Sequence, residues 1–140
     1  MFPGSRGGTG AEKNLFYPPR ERDQAMDLSS EPISPDVADT APLTRREIAD
    51  LLPEIPGWSL EDGRLVAQFA CKEFCDAVAF FQEIARFSAR ESHHPDISIH
   101  KGRIVDVAWY TYAIGGLSRN DFIMAARLSE WLRCRQGGAL

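Results

Sequence analysis

A chain of 140 residues with 44% hydrophobic and 26% charged side chains has the size and balance of one globular domain, and no apolar run approaches the roughly 18 residues a membrane span needs. The formal net charge of −4 leaves no basic footprint for nucleic acid, and no Lys/Arg cluster is longer than Arg45-Arg46. Membranes and nucleic acids are therefore not expected partners.

Met1 to Gly10 alternates glycine with polar residues and has no apolar signal core, so the expected location is the cytoplasm. Cys71, Cys75 and Cys134 are an odd set, which predicts free thiols, and no nearby histidine gives them zinc spacing, so no metal site is expected. Residues 1–41 carry five of the nine prolines and four of the eleven glycines, with no helical or strand period. Such a segment buries too little apolar surface to offset its ordering entropy, and it reads as a disordered tail. Within it, Asn14 to Pro19 is the one apolar cluster, a candidate docking motif, and Met26 is a second candidate translation start.

From residue 42 to residue 135 the pattern is that of a folded domain, with Gln136 to Leu140 expected to fray. Thr44-x-x-Glu47 is a capping box, Leu43 and Ile48 form a staple, and Ile48, Leu51 and Leu52 share one face of a short helix that Pro53 and Pro56 end. Asp62-Gly63 suits a two-residue type I′ turn, which pairs Leu60 with Leu65 and Trp58 with Ala67. Lys72 to about Arg90 is the strongest helix, with Phe74, Ala77, Val78, Phe81, Ile84, Ala85 and Ser88 as its core stripe. Phe80 and Phe87 fall off that stripe and are read as a subunit contact.

In the second hairpin a two-residue loop would oppose Ile97 to Asp106. A three-residue loop, Lys101 to Arg103, pairs Ile99 with Val105 and Ile97 with Val107, and is the expected one. Trp109 and Thr111 continue the core face, while His100, Asp106, Tyr110 and Tyr112 project from the other. Ser118-x-x-Asp121 caps a last helix with Phe122, Ala125, Ala126, Ser129 and Leu132 as its packing stripe. The order α-β-β-α-β-β-α predicts an α+β two-layer sandwich, a four-stranded antiparallel sheet with three helices on one face.

The candidate chemistry lies between Ser92 and Asp121. His93 and His94 adjoin Pro95 at an element junction, and imidazoles exchange protons nearest neutrality. The string H-H-P-D-I-S, a hairpin, and then G-G-L-S-x-x-D-F opening a helix resembles the signature of the pterin-4a-carbinolamine dehydratase family, over roughly Leu43 to Arg133. That resemblance implies the same fold, dimers or tetramers, no metal or other cofactor, and removal of water from a 4a-hydroxytetrahydropterin to give the quinonoid dihydropterin. It makes His93 and His94 the catalytic pair, and Pro95, Tyr112 and Asp121 substrate-binding positions, although capping alone explains Asp121.

The same comparison exposes departures. The family's third histidine, in a T-H-x-x-G-L frame, is Tyr112 here, the acidic position four before the first histidine is Ala89, and the second hairpin turn, His100-Lys101-Gly102, lacks an aromatic. Phenols hold their proton well above neutral pH and make poor resting bases, and losing one acid or base typically costs about 10² to 10⁴ in rate. Two readings follow. The first is a protein of this fold with little or no dehydratase activity and a binding or assembly role, as in the dehydratase-like RuBisCO assembly factor of α-carboxysomes. On that reading RuBisCO subunits would be the partner and the carboxysome the location. The second is a working dehydratase using His93 and His94, with Tyr112 as a hydrogen-bond donor.

Overall fold

The Asp62-Gly63 turn takes positive φ at both central positions, 52° and 78°, as a type I′ hairpin requires. It joins β1 (Ser59–Glu61) to β2 (Arg64–Ala70) with Leu60 opposite Leu65. The second turn spans Lys101 to Arg103 and joins β3 (Asp96–His100) to β4 (Ile104–Trp109), with Ile97 opposite Val107 and Ile99 opposite Val105. β4 also pairs with β2, so the antiparallel sheet runs β1-β2-β4-β3. Because side chains alternate across a strand, this register sends Leu65, Ala67, Val105, Val107 and Trp109 to one buried face.

The computed structural model describes residues 27–138, among which three α-helices complete an α+β fold. α1 (Arg45–Leu51) begins with both halves of the capping box, Glu47 N–H to Thr44 at 3.1 Å and Thr44 N–H to Glu47 at 2.8 Å. It tightens into a 3₁₀ turn at Leu52–Glu54, where Pro53 falls. α2 (Phe74–Arg90) and α3 (Arg119–Gly138) pack against the sheet's buried face. The Trp58 indole N–H donates to Ser129 of α3 at 2.8 Å, tying the first hairpin to that helix.

α2 is rotated relative to the sequence reading. Ala77, Ile84, Phe87 and Ser88 are buried and Phe80 packs on the core, whereas Phe74 is 59% exposed and Ala85 is exposed. The helix carries apolar residues around more than half its circumference, so the pattern alone allows both rotations. Aromatic partners decide between them: Phe80 meets Phe69 of β2 edge-on at 5.4 Å, and Phe87 stacks on Trp131 of α3 at 5.9 Å. Phe87 is thus a core residue and Phe80 is half-buried against the core, so both lie on the inward face of α2 and not off its packing stripe.

The expected tail of residues 1–41 is also corrected in its last third. From residue 27 the chain is ordered, with 3₁₀ turns at Leu28–Ser30 and Val37–Asp39, and Leu28 is only 2% exposed within the core. This segment lies on α3, which explains why Asn120 to Ala125 are buried on every side and not along one stripe. The Asn14–Pro19 cluster and Met26 lie outside the described residues. At the other end, α3 continues to Gly138, into the stretch expected to fray, and residues 139 and 140 lie outside the described residues. No described helix is long and apolar enough to cross a membrane.

Candidate functional site

α2 ends at Arg90, and Ser92 then takes φ 55°, the left-handed conformation that closes a helix and turns the chain back. The His93 N–H donates to the Ser88 carbonyl at 3.4 Å, so the imidazole is presented beside the helix end. Its ring stacks on Trp109 at 5.7 Å with planes 8° apart. His93 Nε2 lies 2.6 Å from Asp121 Oδ1, with side-chain exposures of 12% and 0%.

Asp121 is held from all sides. Its Oδ2 accepts from Thr111 Oγ1 at 2.6 Å and from the Ser118 N–H at 2.9 Å, and the Ser118 hydroxyl closes on Thr111 at 2.7 Å. With Thr111 donating to the carboxylate, the Ser118 hydroxyl is the donor to Thr111. A fully buried carboxylate is costly without donors, and here three groups supply them. The Ser118 bond is the capping contact expected from sequence; the bonds from His93 and Thr111 go beyond capping. With Nε2–H committed to Asp121, Nδ1 of His93 is the ring nitrogen available for proton exchange.

Tyr112 belongs to a different cluster. It opens a 3₁₀ turn, Tyr112–Ile114, is 62% exposed, and donates its hydroxyl to Asp96 Oδ2 at 2.6 Å. Arg64 reaches across the sheet to both, 2.5 Å from Asp96 and 2.8 Å from the Tyr112 hydroxyl. It also lies over the Tyr110 ring at 4.7 Å. Ala108, opposite both Val66 and Asp96, leaves the room for that reach. The Tyr112 hydroxyl, and then Asp96, favour the charged form of Arg64 and raise its pKa.

His94 is exposed and Pro95 half-buried, leading into β3 at Asp96. The structure therefore joins His93 to Asp121, and Tyr112 to the strand that follows the histidine pair. His100 sits at the opposite end of β3, 2.9 Å from Ser98 and 2.7 Å from Asp106, away from the histidine pair. Ala89, at the expected acidic position, is exposed, and Glu91 turns instead to Arg127 at 2.9 Å. Sequence reading passed over Arg64, Asp96, Thr111 and Trp109 as site residues. Asp96 stood in plain view within H-H-P-D, but the reach of Arg64 follows only from the order of strands.

A four-stranded antiparallel sheet backed by helices, with paired histidines after the central helix and a buried aspartate opening the last, defines a pterin-dehydratase-like α+β protein. The family described as Pterin 4 alpha carbinolamine dehydratase matches residues 41–131, and the chain belongs to it. It is 42% identical over 105 residues to a Cupriavidus pinatubonensis protein named "Putative pterin-4-alpha-carbinolamine dehydratase 1", covering 74% of this chain and 90% of that one. A Chlorobium luteolum protein of the same name without the numeral is 44% identical over 93 residues, 64% of this chain and 81% of the other. The crystal structure of a transcriptional coactivator/pterin dehydratase from Brucella melitensis superposes with a TM-score of 0.56 at 28% identity, covering 64% of this chain and 96% of that one.

Proposed function

We propose that this member of the family keeps the pterin-dehydratase scaffold but works with a reduced acid-base set, turning over 4a-hydroxytetrahydropterins slowly or not at all and acting chiefly by binding. The observation that carries the reading is the engagement of Tyr112. The group at the third-imidazole position is a phenol already donating to Asp96 and accepting from Arg64. A group so committed neither takes the N5 proton nor returns it to the departing hydroxyl, and the absence of one such catalyst is worth about 3 to 5 kcal/mol of barrier.

On this reading the chain is a homodimer or homotetramer, for which the exposed Phe74 offers apolar surface. The resemblance to the RuBisCO assembly factor makes RuBisCO subunits the partner to test and α-carboxysomes the place to look. A second reading, an active 4a-hydroxytetrahydrobiopterin dehydratase, draws support from the buried Asp121 carboxylate that orients His93. An assay of 4a-hydroxytetrahydropterin breakdown separates them. Wild type near background and a gain on Tyr112→His support the first. Rapid wild-type turnover abolished by His93→Ala establishes the second.

A further inference from the structure

Residues 27–39 precede the matched family region, which begins at residue 41, yet their contacts converge on the residues flanking the site. Leu28 is buried in the core, and Ile33 packs against the same cluster. Arg119 grips Glu31 with two parallel hydrogen bonds of 2.7 Å. Asn120, 3% exposed, accepts the Ser34 N–H at 2.9 Å and donates to the Ser34 carbonyl at 3.0 Å. These two residues immediately precede Asp121 in the first turn of α3. Arg127, about two turns on, donates to the carbonyls of Ser29 and Glu31 and also pairs with Glu91 at 2.9 Å. Glu91 caps α2 two residues before His93. Val37–Asp39 packs against the turn that carries Tyr112.

We infer that Leu28–Asp39 is a built-in clamp that fixes the His93–Asp121 pair, and that Asn120 and Arg127 are positioning residues acting through Asp121 and Glu91. Hydrogen-bond strength falls steeply with distance and angle, so the pair persists only while two separate segments are held in register. One is the first turn of α3, which carries Asp121, and helix ends are where local opening is easiest. Asn120 pins that turn with a reciprocal pair of bonds, and the Arg119–Glu31 fork adds a planar two-point contact that a lysine cannot make. The other is the loop after α2, which carries His93. Arg127 bridges it to the clamp, with one guanidinium touching Glu91 and the clamp backbone together. The inference concerns the geometry of the pair and holds whether turnover is fast or slow, so it stands or falls separately from the functional reading.

The test is the exchange rate of the His93 Nε2 proton, followed by imidazole NMR on the full-length protein at neutral pH. Arg127→Gln is expected to accelerate that exchange at least about tenfold, the effect of losing a hydrogen bond from a charged group, and Glu31→Gln, at a partly exposed pair, by about threefold to fivefold. Arg127→Lys should fall between Gln and wild type. The Trp58 indole proton, bonded to Ser129, serves as the internal reference and should keep its rate. Unchanged His93 exchange in folded variants overturns the inference, and so does acceleration of both protons by the same factor, which marks general loosening. Should Arg127→Gln not fold, Glu31→Gln carries the test, since Glu31 is 30% exposed and lies outside the core.

Discussion

The Tyr112 hydroxyl lies 2.6 Å from Asp96 Oδ2, and Arg64 holds the same carboxylate oxygen at 2.5 Å. A phenol so placed is a structural donor at the sheet edge. Tyr112→Phe should therefore cost only about 0.5 to 1.5 kcal/mol, the net worth of one hydrogen bond, and less given its exposure. Whatever dehydration the protein catalyses should be unaltered. Urea unfolding and a turnover assay on the same preparation check both halves, and a tenfold fall in turnover would make Tyr112 a participant.

Asp121→Asn is the sharper probe of the pair. An amide keeps the size of the carboxylate but not its charge, and its NH₂ must face either the fixed Ser118 N–H, donor against donor, or His93, which must then give up its Nε2–H for the other tautomer. At this fully buried position the expected loss is about 1.5 to 3 kcal/mol. Denaturant titration measures it, and a loss below about 0.5 kcal/mol, within the range of ordinary surface substitutions, would contradict the network described.

Gly116 is required by space. A Cβ there would stand 2.8 Å from the Pro42 Cβ, where the chain entering α1 crosses the loop that carries Tyr112. Leu43 N–H donates to Leu117 O at 2.9 Å at that crossing, so the two segments cannot part without losing the bond. Gly116→Ala should destabilise by about 1 to 3 kcal/mol, as overpacking does. Adding Pro42→Gly, which removes the clashing atoms, should recover part of the loss, and thermal melts of single and double variants decide it.

Much of this architecture was legible because alternation and turn chemistry agree. Asp62-Gly63 admits one kind of turn, and only a three-residue loop puts Ile97, Ile99, Val105 and Val107 on a common face, as observed. Legibility failed where one helix offered two apolar faces. Phe74 and Phe87 are equally apolar in a list, and only Trp131 and Phe69, distant in sequence, show which side of α2 is inward. It failed again at residues 27–39, where prolines and scattered charge conceal a segment held by particular partners on α3, such as Asn120 for Ser34. At the site, the H-H-P-D string and Asp121 could be read off directly. The stacking of His93 on Trp109 could not, since it needs the end of β4 brought under the loop after α2.

The Glu31–Arg119 fork makes the clamp sensitive to acid. The Arg119 guanidinium, through its hydrogen bonds, holds the Glu31 carboxyl below its ordinary value of 4.5. A carboxyl whose folded pKa is depressed binds fewer protons than in the unfolded chain, so its contribution is complete above the ordinary value and is lost as pH falls through the folded one. The pair is partly exposed, so its worth at neutral pH is about 1 kcal/mol at most. Glu31→Gln should accordingly be slightly less stable than wild type at pH 7, and the gap should close as pH falls below the ordinary glutamate range. Paired urea titrations across that interval measure the difference, and other acid-sensitive groups cancel because both proteins carry them. A gap that stays constant through the acid range would mean that Glu31 stabilises the clamp by its shape and not by its charge.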